Sequence, residues 1–340
     1  MNSLIEFIRA ILFLTAGIGI FLYGMHMLSS HLERALDTHL ETALRRLTGN
    51  RVLGVLTGTA VTALVQSSTA VTVMVVGFVD NGIMSLRQAV WVILGANIGT
   101  SVTSQLAALP VSSITLPLLI PGGVLLFWEK FGGKIRVRWV CIGGVLTGLG
   151  MLFLGMEMMQ WAMVPFRESP FFLWLLTDCR QPLTGIFGGA AFTALVQSSS
   201  ASVAILQALA ENGMVSLEAA AYIVFGQNIG TCMTAMLAAA GSGLNAKRAA
   251  LSHLLINVIG AVFFALLCGV TPLLRWMASW NADNPSMQVA NIHLVFNVVS
   301  TVLLLPFGDV LVQEIEKIGG GKAQKSALHF DKKAIRYKKR

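Results

Sequence analysis

The chain has 340 residues, 55% of them hydrophobic and only 12% charged, with a mean hydropathy of +0.73. A soluble domain carries about 25% charged residues, so this composition excludes an ordinary soluble globular protein and points to a membrane. The net charge of +8 is concentrated in residues 313–340, which hold nine Lys and Arg against three acids; beside membrane spans this reads as a cytoplasmic segment near anionic lipid, not a nucleic-acid-binding tail.

Apolar runs near the length of about 20 residues that crosses a bilayer are predicted at 5–28, 86–109, 111–128, 140–161, 217–240, 250–270 and 289–312. The first is too long for the apolar core of a signal peptide and lacks a small-residue cleavage site, so it is kept as a span. Between the first two runs lies 52–79, about 42 Å long as a single helix, against a hydrocarbon core of roughly 30 Å. It is interrupted by Gln66, Ser67, Ser68 and Thr69. Broken there, its arms reach about 21 and 15 Å, each too short to cross. That predicts a re-entrant hairpin, tolerated where protein or a wet cavity covers it. Asp80-Asn81-Gly82 ends the second arm as a turn. The run 86–109 then carries Gly95-Ala96-Asn97-Ile98-Gly99-Thr100. Two mid-helix glycines, each costing about 1 kcal/mol, predict a break in that helix.

The same order returns 131 residues later. Residues 54–104 lie on 185–235 without a gap, identical at 22 of 51 positions. Gln197-Ser198-Ser199-Ser200, Glu211-Asn212-Gly213 and Gly226-Gln227-Asn228-Ile229-Gly230-Thr231 repeat the three features in turn. Upstream, Gly17, Gly19, Gly24, Met25 and Met27 meet Gly148, Gly150, Gly155, Met156 and Met158. The expected organisation is therefore a membrane repeat over 1–130 (hairpin 52–79, broken helix 86–109) and a second over 131–270 (hairpin 185–210, broken helix 217–240). An extra transmembrane span within 271–312 and a basic cytoplasmic tail over 313–340 follow.

Charge placement selects the hairpins. If both return to the side they entered, 31–51, 129–138, 241–249 and the tail share one face, which with Arg87 collects 20 of the 24 Lys and Arg. If they crossed, Arg34, Arg45, Arg46 and Arg51 would lie opposite Lys130, Lys134, Arg136 and Arg138, against the positive-inside rule. Seven spans follow, with the amino terminus outside and the carboxyl terminus inside a cytoplasmic (inner) membrane. Three crossings per copy invert the second. The fold class expected is an all-α polytopic membrane protein of two inverted-topology repeats, each with a re-entrant hairpin and a broken helix, plus one extra span. This is an architecture of secondary transporters.

A buried polar group without a partner costs roughly 2–7 kcal/mol, so two such clusters need a function. At each tip the second arm opens a helix whose first N–H groups lack partners and whose dipole favours an anion. Ser67, Ser68 and Thr69, with Ser198, Ser199 and Ser200, add hydroxyl donors. No Arg or Lys lies in either hairpin, so an anion needs an accompanying cation. Sodium, a hard cation seeking oxygen ligands, fits. The predicted breaks offer Asn97, Thr100, Asn228 and Thr231 as its ligands, with Thr103 and Thr234 one turn on. Helix packing is the competing reading for small and hydroxylated residues, and the preferred one for Gly54, Gly58, Gly185, Gly188 and Gly189. His253 with Asn257, and His293 with Asn297, share helix faces and read as interhelical hydrogen-bonding groups, with proton sensing or a substrate-path role as the alternative. Glu157, aligned with His26, reads as interfacial. The scattered Cys141, Cys179, Cys232 and Cys268 argue against a metal site and a disulfide framework.

The paired Gln-Ser-Ser motifs, each followed by Gly-x-Asn-Ile-Gly-Thr, resemble the sodium-dependent inorganic phosphate cotransporters of the type II family, specifically its bacterial members. The resemblance covers both repeats. It implies sodium-coupled transport of inorganic phosphate, with substrate bound by Gln66, Ser67, Ser68, Thr69, Gln197, Ser198, Ser199 and Ser200. Co-transported sodium ions are then held by Gln66, Asn97, Thr100, Gln197, Asn228 and Thr231. The copies differ at Thr69 and Ser200, Ala96 and Gln227, and Ser101 and Cys232, which leaves the number of sodium sites open. Some bacterial relatives carry a soluble regulatory domain after the membrane part; with a short basic tail, none is expected here. The sequence has no GxxxxGK[ST] nucleotide motif and no catalytic triad or carboxylate pair in its membrane segments, so an enzyme is not expected. Another oxyanion or a carboxylate as substrate, or a phosphate sensor that transports nothing, are the alternatives. Direction, sodium stoichiometry and any homo-oligomer are left open.

Overall fold

A computed structural model describes residues 2–36, 39–109, 114–131, 136–166 and 179–318. Most of the basic tail (319–340) and the charged Lys134, Arg167, Glu168 and Asp178 lie outside the described residues. Among the described residues all regular structure is helical. Five helices among the described residues are long and apolar enough to cross a membrane: Glu6–Leu36, Val137–Phe166, Leu217–Ala240, Leu244–Val270 and Pro285–Leu304. Two of the seven predicted spans are absent from that set. Helix α6 (Thr115–Lys130) has 16 residues, about 24 Å. Helix α5 (Leu86–Ala107) is long enough at 22 residues, but Asn97, Thr100, Ser101, Thr103 and Ser104 lower its apolarity and are buried among neighbouring helices.

The interruption predicted at 66–69 is present. Helix α3 (Arg51–Val65), capped by Asn50, ends where Gln66 enters the left-handed region at φ 58°, ψ 23°. Ser67 is extended, and α4 (Ser68–Asp80) begins at the next residue. In the second copy α8 (Pro182–Val196) ends at Gln197, φ 56°, ψ 21°, and α9 (Ser199–Glu211) follows Ser198. A non-glycine residue with positive φ is uncommon, and here two glutamines adopt it at the same place in both copies. Gly82 and Gly213, at φ 69° and 67°, close the expected turns after α4 and α9.

The predicted breaks at Gly-x-Asn-Ile-Gly-Thr are not there. Helix α5 and its counterpart α10 (Leu217–Ala240) run unbroken through Gly95–Thr100 and Gly226–Thr231. The glycines serve close approach instead. A Cβ on Gly95 would lie 2.0 Å from Val55 O of α3, and one on Gly99 would lie 2.6 Å from Thr62 Cβ. On α10, a Cβ on Gly226 would lie 2.0 Å from Ile186 O of α8, and on Gly230 2.4 Å from Ala190 O. Each first arm is thereby seated on the long helix of its own copy, and Thr59 Oγ1 donates across that seam to Gly95 O at 3.1 Å. The packing reading holds for Gly54, Gly58, Gly185 and Gly189, but Gly188 has only ordinary contact, 3.9 Å from Cys179 Sγ.

Four of the glycines matched upstream, Gly17, Gly24, Gly148 and Gly155, close a second seam. Helix α1 (Asn2–Leu36) lies along α7 (Val137–Met163), with Gly24 against Leu152 N and Gly155 against Phe21 N, so that an added Cβ would come within 2.6 and 2.5 Å. Helix α11 (Leu244–Val270) follows α10 and packs on it.

The last predicted span, 289–312, is shifted. Helix α13 (Pro285–Leu304) starts at its Asn284 cap, where Met287 N donates to Asn284 Oδ1 at 2.8 Å, and stops before Pro306, which cannot supply a helical N–H. The chain then turns into the amphipathic α14 (Gly308–Lys317), which buries Gly308, Val312 and Ile315. Asp309 holds its start to Arg51 at 2.6 Å and Arg87 at 3.0 Å. The guanidinium of buried Arg248, on α11, donates to Glu316 O and Ile318 O at its end.

Candidate functional site

The first turns of α4 and α9 open onto one cavity of about 210 Å³, lined by Gln66, Ser67, Ser68, Thr69, Gln197, Ser198, Ser199 and Ser200 with Met25, His26 and Ser29 of α1. That is about seven times the ~30 Å³ share of a liquid water molecule. All eight residues predicted for substrate are therefore brought together, although 131 positions separate the two sets.

The local chemistry of each tip follows from its cap. Ser67 Oγ accepts from Ala70 N at 3.2 Å, and Val71 N reaches Ser67 O at 3.3 Å. Ser198 does the same for Ala201 N at 3.3 Å and Ser202 N at 3.0 Å. This leaves the first helical N–H groups, of Ser68 and Thr69 and of Ser199 and Ser200, without an intrahelical acceptor. Two helix N-termini thus converge on a cavity lined by neutral side chains and one imidazole, with no Lys or Arg among the lining residues. Ser68 and Ser199 are themselves buried.

The glutamines differ. Gln66 is 6% exposed; its Oε1 accepts from Thr103 at 2.8 Å and its Nε2 donates to Ala63 O. Gln197 is exposed. Ser29 Oγ donates to Val65 O at 2.6 Å, tying α1 to the first tip.

Asn97, Thr100, Asn228 and Thr231, predicted for sodium, are buried but are not among the residues that line the cavity. Thr100 donates to Ala96 O at 2.9 Å and Thr231 to Gln227 O at 2.8 Å, so each hydroxyl proton is held within its helix while the oxygen lone pairs stay available. Asn97 Nδ2 donates to Asn257 Oδ1 at 3.1 Å, and Asn228 Nδ2 to Val224 O at 3.0 Å.

Behind them lies a matched set of bonds. Ser101 Oγ donates to His293 O at 3.3 Å and accepts from Asn297 Nδ2 at 2.9 Å. Cys232, which aligns with Ser101, meets His253 O at 3.5 Å and accepts from Asn257 Nδ2 at 3.2 Å. Helix α13 therefore meets α5 as α11 meets α10, and both carry His-Leu-x-x-Asn-Val, at 253–258 and 293–298. Asn257, His293 and Asn297 make the interhelical side-chain bonds expected of them, whereas His253 contributes its backbone carbonyl and its Nδ1 has no partner among the described residues.

The α1 lining residues were outside the sequence-based site. His26, aligned with the interfacial Glu157 near the ends of their spans, is exposed and lines the cavity. The one available signal was the glycine and methionine register around it, which marks a packed seam but not what the seam borders.

Residues 20–161 and 168–300 match the Na+/Pi-cotransporter family. "Uncharacterized protein YqeW" of Bacillus subtilis (strain 168) is 30% identical over 319 residues, 93% of this chain and 98% of that protein. "Putative inorganic phosphate export protein YjbB" of Escherichia coli (strain K12) is 30% identical over 307 residues, 89% of this chain and 54% of that protein, so the chain spans about half its length. Human "Sodium-dependent phosphate transport protein 2B" is 47% identical over 60 residues, 18% of this chain and 9% of that protein. No solved structure matches the chain. With the match running through both Gln-Ser-Ser tips and the long helices behind them, this all-helical protein belongs to the Na+/Pi-cotransporter family.

Proposed function

We propose that the protein is a secondary active transporter that couples sodium to inorganic phosphate translocation by alternating access, with phosphate held between the two Gln-Ser-Ser tips. One observation carries the reading: a single cavity takes hydroxyls and helix N-termini from both copies, and no Lys or Arg is among its lining residues. Hydroxyl and N–H donors from Ser67, Ser68, Thr69, Ser198, Ser199 and Ser200 suit an oxyanion, but a divalent phosphate in a neutral cage needs counter-charge. Sodium supplies it, drawn from the oxygen-bearing Gln66, Gln197, Asn97, Thr100, Asn228 and Thr231. Two sodium ions with divalent phosphate are electroneutral; a third adds one charge, worth about 2.3 kcal/mol per 100 mV.

The same reading makes α3–α4 and α8–α9 re-entrant hairpins within two inverted repeats, 1–130 and 131–270, in a cytoplasmic membrane with the carboxyl terminus inside. Arms of 15 and 13 residues reach about 22 and 20 Å, short of the roughly 30 Å core. Uptake of labelled phosphate into proteoliposomes tests the function. Uptake should require a sodium gradient, with potassium unable to replace it, and excess sulfate or a dicarboxylate should compete poorly. Uptake of those anions in place of phosphate, or phosphate binding without uptake, contradicts it. The export named for the relative YjbB favours outward movement as a second reading of direction, tested by loading phosphate and sodium inside the vesicles.

A further inference from the structure

The two tips share their residues but not their state. Gln66 and Gln197 hold the same left-handed backbone, φ 58° and 56°, and each copy has a threonine at the matching place on its long helix, Thr103 and Thr234. Yet Thr103 donates to Gln66 Oε1 at 2.8 Å, with Gln66 buried, while Thr234 donates to Thr231 O at 2.9 Å, with Gln197 exposed. The long helices show the same asymmetry. Asn97 donates to Asn257 Oδ1, whereas its counterpart Asn228 turns back to Val224 O.

Some differences between the copies are written into the sequence. His293 Nδ1 lies 2.7 Å from Ser104 Oγ, whereas His253 Nδ1 has no partner because Ala235 replaces the serine. Ser29 ties down the first tip, and the residue 131 positions on is Gln160. The glutamine–threonine and asparagine–asparagine differences are of another kind. The bonding residues are identical in both copies, so the second copy carries the groups for the bonds that the first copy forms.

We propose that Thr103 and Thr234 are alternating latches, one holding its glutamine while the other is released, so that one tip of the cavity is shut when the other stands open. The proposal rests on the alternating-access reading above and names the residues that would set its two states. In the state described here the first tip is latched and the second is free. In the opposite state Thr234 leaves Thr231 O for Gln197 Oε1, Asn228 leaves Val224 O for Asn297, and Thr103 and Asn257 let go of Gln66 and Asn97. Both threonines act through a glutamine and are positioning residues. One neutral hydrogen bond shifts the ratio of the two states by roughly two- to twelvefold.

Cysteine pairs read the states directly. In protein whose four native cysteines are replaced, with Cys232→Ser borrowing the residue of the other copy, Gln66→Cys/Thr103→Cys and Gln197→Cys/Thr234→Cys are cross-linked with mercuric ion. The first pair should link in the resting protein and the second in the complementary fraction. Thr103→Val should raise linking of the second pair by about two- to twelvefold, and Thr234→Val should raise linking of the first. A purely structural role for the threonines moves neither in that opposed sense. Thiol labelling of a single cysteine beside the intact glutamine is the second readout: Thr103→Val should raise the labelling of Ser67→Cys, and Thr234→Val should not. The latch is overturned if the second pair never links in vesicles whose parent protein carries phosphate, or if Thr103→Val leaves both readouts unchanged. If the pairs exchange but the parent carries no phosphate, the latch stands and the transport reading fails.

Discussion

Ser68 and Ser199 are the residues whose loss should speak most plainly. Each is buried at the cavity, and a hydrogen bond to a charged partner contributes about 1.5–3 kcal/mol. Ser68→Ala or Ser199→Ala should therefore raise the KM for phosphate roughly 10- to 150-fold while the unfolding midpoint in detergent stays put. Glycines make the opposite kind of prediction. Gly95→Ala would drive a methyl group into Val55 O at 2.0 Å and should destabilise by about 1–3 kcal/mol or more. Gly77→Ala, with nothing within 4 Å of its added Cβ, should be neutral or stabilise by up to about 1 kcal/mol; thermal unfolding of the two variants side by side checks the contrast. The tip residues were legible in the sequence because a polar cluster inside an apolar run is costly and this one occurs twice. Met25, His26 and Ser29 were not, since their nearness to the tips is a tertiary fact that no local pattern carries.

At the scale of elements, one break was readable and another was misread for a definite reason. The interruption at Gln66 shows up as a length mismatch with the bilayer, which needs no knowledge of neighbours. The glycines of α5 and α10 weaken a helix in isolation, but another helix seated against them offsets that cost, and only the packed structure reveals the seat. The shift from span to amphipathic helix after Leu304 was missed similarly: Pro306 was visible, but the basic clamp on α14 is assembled from Arg51, Arg87 and Arg248, far apart in sequence. Those contacts differ in weight. Arg248 is 7% exposed and caps the end of α14, so Arg248→Met should cost about 1–3 kcal/mol and raise amide hydrogen exchange across 308–317. Asp309→Asn weakens pairs to arginines that are 47% and 59% exposed and should cost only about 0.2–1 kcal/mol.

For the molecule as a whole, duplication was the most legible property, since 22 identities in 51 aligned positions pair the two tips before any contact is known. What the alignment could not supply was the standing of α13. It looked like an extra span, yet its His293 and Asn297 serve Ser101 as His253 and Asn257 serve Cys232, a pairing announced in sequence only by a six-residue motif. The central claim is that phosphate binds between the tips and depends on sodium for its counter-charge, and calorimetric titration of phosphate into purified protein at stepped sodium concentrations tests it most directly. Phosphate should bind only when sodium is present and weaken at least tenfold in both Ser68→Ala and Ser199→Ala; binding of equal strength without sodium, or unchanged in both variants, would contradict it.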